Sequence, residues 1–557
     1  MIQRRLAAWL TDALLGAQKD GVVPKFDVPA VEMERPRKAD HGDWATGIAM
    51  VCARPSGMPP RELAQIIIDR FGEHNEVQAL EIAGPGFINI RLSHAWLTEI
   101  VREVITAGQA WGRSQPDEPT SVQVEFVSAN PTGPMHIGHG RWAALGDTMA
   151  RLLEWSGHEV SREFYINDFG VQMRKFAESI AARYDELQGR EAEVPEGGYQ
   201  GAYVKTIAAE IYAEIGAREL DADEEERLNF FRAEGQRRML LHQRSTLETF
   251  GVVFDKWFSE RSLHEQGAVQ RVVELLAELG HTYEHEGATW LRTTDFGDDK
   301  DRVIVRSTDG MPAYLAADLA YFLDKLRRGF EKCIYLVGAD HHGWKREMEA
   351  SIKALGEDPD AHCEFLIGQM VHLERGGQPV KMSKRTGEAI TFDELIEEVG
   401  VDATRYHFLR VSMDQTLRFD LDEVISQTQE NPVFYVQYAH ARIHALLRRA
   451  SESGIEPTAT DQLALHELQH DSELDLLRKI AEFPEVVEVA ARLRAPHRVT
   501  RFAEELAAAF HAFYRDCRVV DTQERSLTAA RLGLAEAARI TLANALAICG
   551  VSAPEAM

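Results

Sequence analysis

The stretch Asn130-Pro131-Thr132-Gly133-Pro134-Met135-His136-Ile137-Gly138-His139-Gly140-Arg141 constrains the fold of this chain more than any other. An apolar run over 122–127 precedes it and reads as a buried strand. Residues 142–155 follow it with apolar positions at helical spacing. Strand, tight turn and helix in that order is the unit from which a parallel α/β sheet is built. It is also where such a sheet holds a nucleotide. Main-chain N–H groups and the positive end of the helix dipole face the phosphates. Glycine allows close approach of the backbone, and histidine can donate to a phosphate oxygen. A His-x-Gly-His element alone is a weak signal, since a core histidine beside a helix start looks the same.

A chain of 557 residues has room for two to four domains with large cores. No apolar run reaches the roughly 18 residues of a membrane-spanning helix, and the N-terminus lacks a convincing apolar core and cleavage site of a signal peptide. The five cysteines are scattered, with no Cys-x-x-Cys pair. That points to a reducing, cytoplasmic setting and away from a structural zinc site. The formal net charge of -27 argues against binding nucleic acid over the whole surface. Screening limits each charge to roughly 10 Å, so a local basic face is still allowed. Arg442, Arg448 and Arg449, and Arg492, Arg494, Arg498 and Arg501, are such groups. A solvated helix face is the plainer reading of either.

In order along the chain, residues 1–110 read as an α+β domain, with strands at 77–81 and 87–92 around the turn Gly84-Pro85-Gly86. Residues 111–120 read as a linker. A Rossmann-type parallel-sheet domain spans 115–400, with a second strand at 159–166 and a charge-rich helical insertion around 170–250. A further strand at 333–338 ends in glycine and leads into Asp340-His341-His342-Gly343, where ligand groups belong in a doubly wound sheet. Residues 401–557 read as an all-α domain.

Within the α/β unit lies a second cationic element, Lys381-Met382-Ser383-Lys384-Arg385. Alone it reads equally well as an exposed basic turn or as a loop that meets a polyphosphate. Paired with His136-Ile137-Gly138-His139 upstream, it resembles the two signature motifs of class I aminoacyl-tRNA synthetases. The lead-in over 125–134, the blocks over 164–168, 337–343, 400–406 and 435–442, and the ending over 550–557 look like arginyl-tRNA synthetases. Residues 84–90 resemble the additional N-terminal domain of that family.

The resemblance implies arginine–tRNA ligase activity. ATP and L-arginine give arginyl-adenylate and pyrophosphate, and tRNA(Arg) then takes the arginyl group. His136, His139, Lys381 and Lys384 would be catalytic. Pro131, Thr132, Gly133, Pro134, Met135, Ile137, Gly138, Gly140, Arg141, Met382, Ser383 and Arg385 would complete the ATP site. Glu125, Ser128, Asn130, Tyr314, Asp318 and His341 would bind arginine, with Asp318 accepting the planar guanidinium fork. Tyr314 and Asp318, four apart, share one helical face. A surface ion pair between Asp318 and Lys325 or Arg327 is the plainer alternative. Phe87, Asn89, Tyr435, Gln437, Tyr438, His440, Arg442 and Met557 would meet tRNA, the aromatic ones by stacking on bases. Mg²⁺ would arrive with ATP. A monomer, no membrane partner and a need for bound tRNA before arginine is activated are family expectations. Retention of both lysines in the second motif departs from many relatives. A class I synthetase for another amino acid and a catalytically idle RNA-binding paralogue are the competing readings.

Overall fold

The computed structural model describes all residues except 1, 37–40, 117, 218–222, 309, 381–389, 427, 429 and 457, and the side chain of Asp340. Five strands make the central sheet: β1 (Ser121–Glu125), β2 (Glu159–Ile166), β3 (Lys256–Ser259), β4 (Lys332–Gly338) and β5 (Cys363–Gly368). Their spatial order is β5-β4-β1-β2-β3, and every neighbouring pair is parallel. Helices cover such a sheet on both faces, so Val122, Val124, Ile334 and Leu336 are all buried. The chain winds outward from β1 to β3, then returns to the other side of β1. The strand order therefore reverses between β1 and β4. Ligands of a doubly wound sheet bind at that point, beyond the carboxyl ends of the strands.

Helix α1 (Ile137–Trp155) crosses from β1 to β2. Three helices, α2 (Val171–Glu186), α3 (Ala202–Ile215) and α4 (Glu224–Thr249), separate β2 from β3. They bury a core of their own around Phe176, Ile180, Tyr184, Val204 and Phe231. Asp223 caps α4 by accepting the Glu225 N–H, and three glutamates in the first turn complement the dipole. A small antiparallel sheet (Thr282–His285, Ala288–Leu291, Arg302–Val305) precedes helix α5 (Tyr314–Arg327), and α6 (His342–Ala354) follows β4.

At the N-terminus, helices Ile2–Lys19, Ile48–Ser56 and Pro60–Arg70 pack on an antiparallel sheet whose central strand is Phe87–Leu92. Ile88, Ile90 and Leu92 face that core. The two-residue period therefore puts Phe87 and Asn89 on the other face.

Beyond the central sheet come α7 (Phe392–Val399), α8 (Val401–Leu409), α9 (Pro432–Glu452), α10 (His497–Asp516) and α11 (Arg525–Cys549). The sequence reads 401–557 as wholly helical, and the structure departs from that at one place. Leu417–Asp420 forms a strand parallel to Val371–Arg375. Four residues are too few for a two-residue period to stand out from helical patterning. Among the described residues α11 alone is long and apolar enough to cross a membrane. Leu534, Ala538, Leu542, Leu546 and Cys549 are instead buried in the protein's main core.

Candidate active site

At the carboxyl end of β1 the backbone leaves the sheet abruptly. The Ser128 N–H donates to Phe126 O at 2.9 Å, closing a γ-turn over Val127. Val127 and Ser128 have φ of 68° and 39°. A β-branched residue rarely occupies that region, and local strain of this kind concentrates at functional sites. The turn aims Ser128 Oγ at β2, where it accepts the Tyr165 N–H at 3.2 Å and donates to Glu125 Oε1 at 3.4 Å.

Carboxylates crowd this corner. Glu125 Oε2 takes Lys325 Nζ at 2.6 Å. Lys325 is fully buried, with its ammonium 4.1 Å from the Tyr321 ring centre and 3.7 Å from that of Tyr335. Beneath it, fully buried Glu163 accepts Arg328 and the Tyr321 hydroxyl, the latter at 2.6 Å. These two carboxylates are neutralised, and Arg328 holds the Glu163 carboxyl below its ordinary range despite burial. Lys325 is thereby committed to Glu125, so the surface pair between Asp318 and Lys325 does not form.

Asp318 and Glu260 are in the opposite condition. Asp318 Oδ2 accepts the Trp344 indole N–H at 2.9 Å. Burial, with the charges of Glu125 and Glu347, pushes its carboxyl up to about 7. Glu260, at the start of the helix after β3, is likewise raised to about 7 by burial and by the charges of Asp318 and Asp168. The Tyr165 hydroxyl hydrogen-bonds Glu260, and burial, with the charges of Glu260, Asp318 and Glu125, drives it well above its ordinary value. A corner with two carboxylates short of counter-charge suits a cation with planar donors. Sequence reasoning missed Glu260 and Trp344. No motif surrounds Glu260, whose only signal is a position directly after a sheet strand.

Tyr314 is exposed on the same helix as Asp318. His341 occupies the N-cap position of α6, and its ring meets that of Trp344 edge-on at 6.0 Å. Asn130 donates its amide to Gln172 Oε1 at 2.9 Å.

The histidine turn lies beside this corner, at the start of α1. His136 is the N-cap, and its ring stacks on that of His139 at 3.8 Å. His139 Nδ1 accepts the His136 N–H at 3.2 Å. In the neutral ring that leaves the proton on Nε2, a donor for a phosphate oxygen. A Cβ on Gly138 would stand 2.9 Å from the His136 ring, so a side chain there would displace the stack. A Cβ on Gly140 would enter the Phe392 ring. Pro131, Thr132, Gly133, Met135 and Ile137 are buried and Pro134 half-buried, so a nucleotide would meet this turn chiefly through its main chain. Arg141 is a correction. It is fully buried and donates to the carbonyls of Gln369, Ser412 and Gln415 at 2.8, 3.0 and 2.9 Å. It fastens α1 to two loops and does not face ATP. Lys381, Met382, Ser383, Lys384 and Arg385 lie outside the described residues.

On α9, Tyr435, Tyr438 and Arg442 are half-buried around His511 of α10. The tyrosine rings stand 5.1 and 6.1 Å from His511, and Arg442 covers Tyr438 at 5.0 Å. Gln437 and His440 are corrections, since both are buried and hold the chain's end. Gln437 Nε2 donates to Asp402 at 2.8 Å and to Ser552 O at 3.0 Å, and His440 Nδ1 donates to Pro554 O at 2.8 Å. Exposed Met557 lines a cavity of about 650 Å³ with Phe434, Asn431 and Asp402.

Three family models match the chain in succession. They are the arginyl tRNA synthetase N terminal domain over 2–92, the tRNA synthetases class I (R) catalytic domain over 101–443, and the DALR anticodon binding domain over 436–557. An arginine–tRNA ligase of Kineococcus radiotolerans is 48% identical over 100% of both chains. That of Bacillus subtilis is 46% identical over 97% of this chain and 96% of its own. The arginyl-tRNA synthetase of Thermus thermophilus superposes with a TM-score of 0.76 at 25% identity, covering 100% of both chains. A parallel sheet with its switch point at a His-Ile-Gly-His helix start, and full-length likeness at this level, lead to one conclusion: the chain belongs to the arginyl-tRNA synthetase family of class I.

Proposed function

We propose that this protein charges tRNA(Arg) with arginine, and that Asp318 and Glu260 together hold the substrate guanidinium. The carrying observation is that Glu260, directly after a central-sheet strand, and Asp318, held by the Trp344 indole at 2.9 Å, lie close enough for the Asp318 charge, with burial, to raise the Glu260 carboxyl to about 7. A bound guanidinium would restore their missing counter-charge. Ser128 and Asn130, with Glu125 and His341 nearby, face the amino-acid end, and Tyr314 covers it.

In the first step an arginine carboxylate oxygen attacks the α-phosphorus of ATP. The P–O bond to pyrophosphate breaks, giving arginyl-adenylate. His136 and His139 donate to phosphate oxygens as charge builds, which is electrostatic stabilisation aimed at the transition state. Lys381 and Lys384 neutralise the β- and γ-phosphates, with Met382, Ser383 and Arg385 beside them. Mg²⁺ comes with ATP as part of that substrate. In the second step the terminal ribose hydroxyl of tRNA attacks the activated carbonyl and releases AMP.

Three units divide the work: 1–110 and 401–557 bind tRNA, and 115–400 carries the chemistry, with its insertion around 170–250. Phe87, Asn89, Tyr435, Tyr438, Arg442 and Met557 are the RNA-facing residues. The enzyme works as a cytoplasmic monomer. Aminoacylation with a panel of labelled amino acids tests the reading. Arginine alone is charged, and charging of any other amino acid in its place overturns the assignment. Arginine- and tRNA-dependent ATP–pyrophosphate exchange is lost in His136→Ala and Lys384→Ala.

A further inference from the structure

The turn between the arginine corner and the histidines has an unusual hydrogen-bond problem. Pro131 and Pro134 have no N–H, and the segment 130–134 belongs to no helix or strand. Its buried carbonyls need donors from elsewhere. Side chains of the helical insertion supply them. On α4, Gln243 Nε2 donates to Asn130 O at 3.1 Å and to Gly133 O at 3.0 Å, bridging both ends of the turn. On α3, the Tyr203 hydroxyl donates to Thr132 O at 2.8 Å. On α2, Gln172 accepts the Asn130 amide. Each insertion helix thus holds one part of the turn. Gln243 is fully buried, which fixes its side chain against the turn.

The same face of α4 reaches α7, the helix that comes after the second signature segment in sequence. His242 Nε2 pairs with Asp393 Oδ2 at 3.0 Å, and the Thr246 hydroxyl donates to Asp393 Oδ1. Asp393 lies in the first turn of α7, the helix after the Lys381–Arg385 segment. Its neighbour Phe392 donates its N–H to Met135 O at 2.9 Å. Residues 242, 243 and 246 therefore tie the histidine turn and the root of α7 to one rigid helix.

We infer that the insertion α2–α4 is a positioning device for amino-acid activation: Gln243 and Tyr203 set the spacing between Asn130, which faces arginine, and His136, which faces ATP. This rests on the functional reading above. An in-line attack tolerates little error in that spacing, and misplacement by about 1 Å costs on the order of 10²-fold in rate. Neither residue meets a substrate, so both act through the main chain they hold.

The test uses the full-length protein and tRNA-dependent ATP–pyrophosphate exchange, with kcat separated from the KM values for arginine and ATP. Gln243→Met keeps length but removes the donor, Gln243→Glu puts an acceptor against two carbonyls, and Tyr203→Phe removes one hydroxyl. Expected losses in kcat per folded molecule run Glu above Met above Phe, roughly 10- to 100-fold for Gln243→Met. Both KM values stay within about threefold, because Asp318, Glu260 and the histidines are untouched. Tyr203→Phe is the mildest change and guards against failure to fold. Exchange in the wild type with kcat within about twofold in Gln243→Met and Tyr203→Phe overturns the inference alone. So does a loss that merely tracks the folded fraction. Absence of exchange in the wild type overturns the functional reading and this inference with it.

Discussion

Two buried carboxylate clusters flank the central sheet, and they are balanced in opposite ways. Asp147, on α1, is 2% exposed and meets Arg405, Arg151 and Arg162. Those cations hold its carboxyl below the ordinary range despite burial. Arg405, itself fully buried, also donates to Phe250 O and Cys549 O, so it joins α1, α8 and the end of α11. Across the sheet, Asp318 has an indole N–H and Glu260 a phenol hydroxyl, and both carboxyls are raised to about 7. The first cluster is complete within the chain and holds domains together. Among the described residues the second has no lysine or arginine paired with it, only His264 Nε2 at 3.7 Å from Glu260 Oε1. A deficit of counter-charge, rather than the presence of acidic residues, is what would mark the second as a binding site and the first as a brace.

The sharpest way to break the comparison is to remove a carboxylate from the incomplete cluster. Asp318→Asn should lower kcat/KM for arginine by roughly 10³-fold or more, since a charged partner in a buried pair is worth about 4 kcal/mol. Its thermal midpoint should not fall, because an unfavourable charge is gone. Exchange kinetics and a melting curve read both. Arg405→Met does the reverse. It should cost about 3 kcal/mol in urea unfolding, as breaking a buried ion pair does, while kcat per folded molecule changes little. A stable Arg405→Met protein would remove the brace from the argument.

Glu260→Gln keeps shape and loses charge. The arginine KM should rise by about tenfold, and an unchanged KM would leave Asp318 as the only guanidinium partner.

pH gives a graded contrast. The raised carboxyls gain protons as pH falls through about 7. Arginine affinity should then drop by about tenfold per unit for each carboxyl that must be charged, up to about a hundredfold per unit where both count, and level off above that point. Asp147 has the opposite sign. Its depressed carboxyl contributes stability that is present above the ordinary value of 3.8 and is lost only as pH falls through its lower folded value. Between pH 8 and 6 (about one unit either side of the titration), the midpoint contributed by Asp147 should therefore stay flat while arginine binding weakens. Isothermal titration with arginine alongside calorimetric melts separates the two.

The strand–turn–helix around His136 and the strand ending at Gly338 were readable because their apolar runs and turn residues lie within single short windows. The reading of Asp318 as an arginine partner came only through family likeness; of its plainer alternatives, the pair with Lys325 does not form because Lys325 is spent on Glu125. Arg141, Gln437 and His440 were misread for a common reason. A polar residue inside a motif carries the same letter whether it faces a ligand or a distant carbonyl. Their partners, at 369, 412 and 415, at 402 and 552, and at 554, are remote in sequence.

The sequence by itself determined the doubly wound class and the two signature segments, because periodicity and turn chemistry are local properties. The tertiary structure alone decided which charges are cancelled. It brought Glu260 to Asp318 and Tyr165, Lys325 to Glu125, Arg405 to Asp147, and Gln243 to the carbonyls of the turn. Burial and the separation between charges set those energies, and neither quantity exists until the chain has folded.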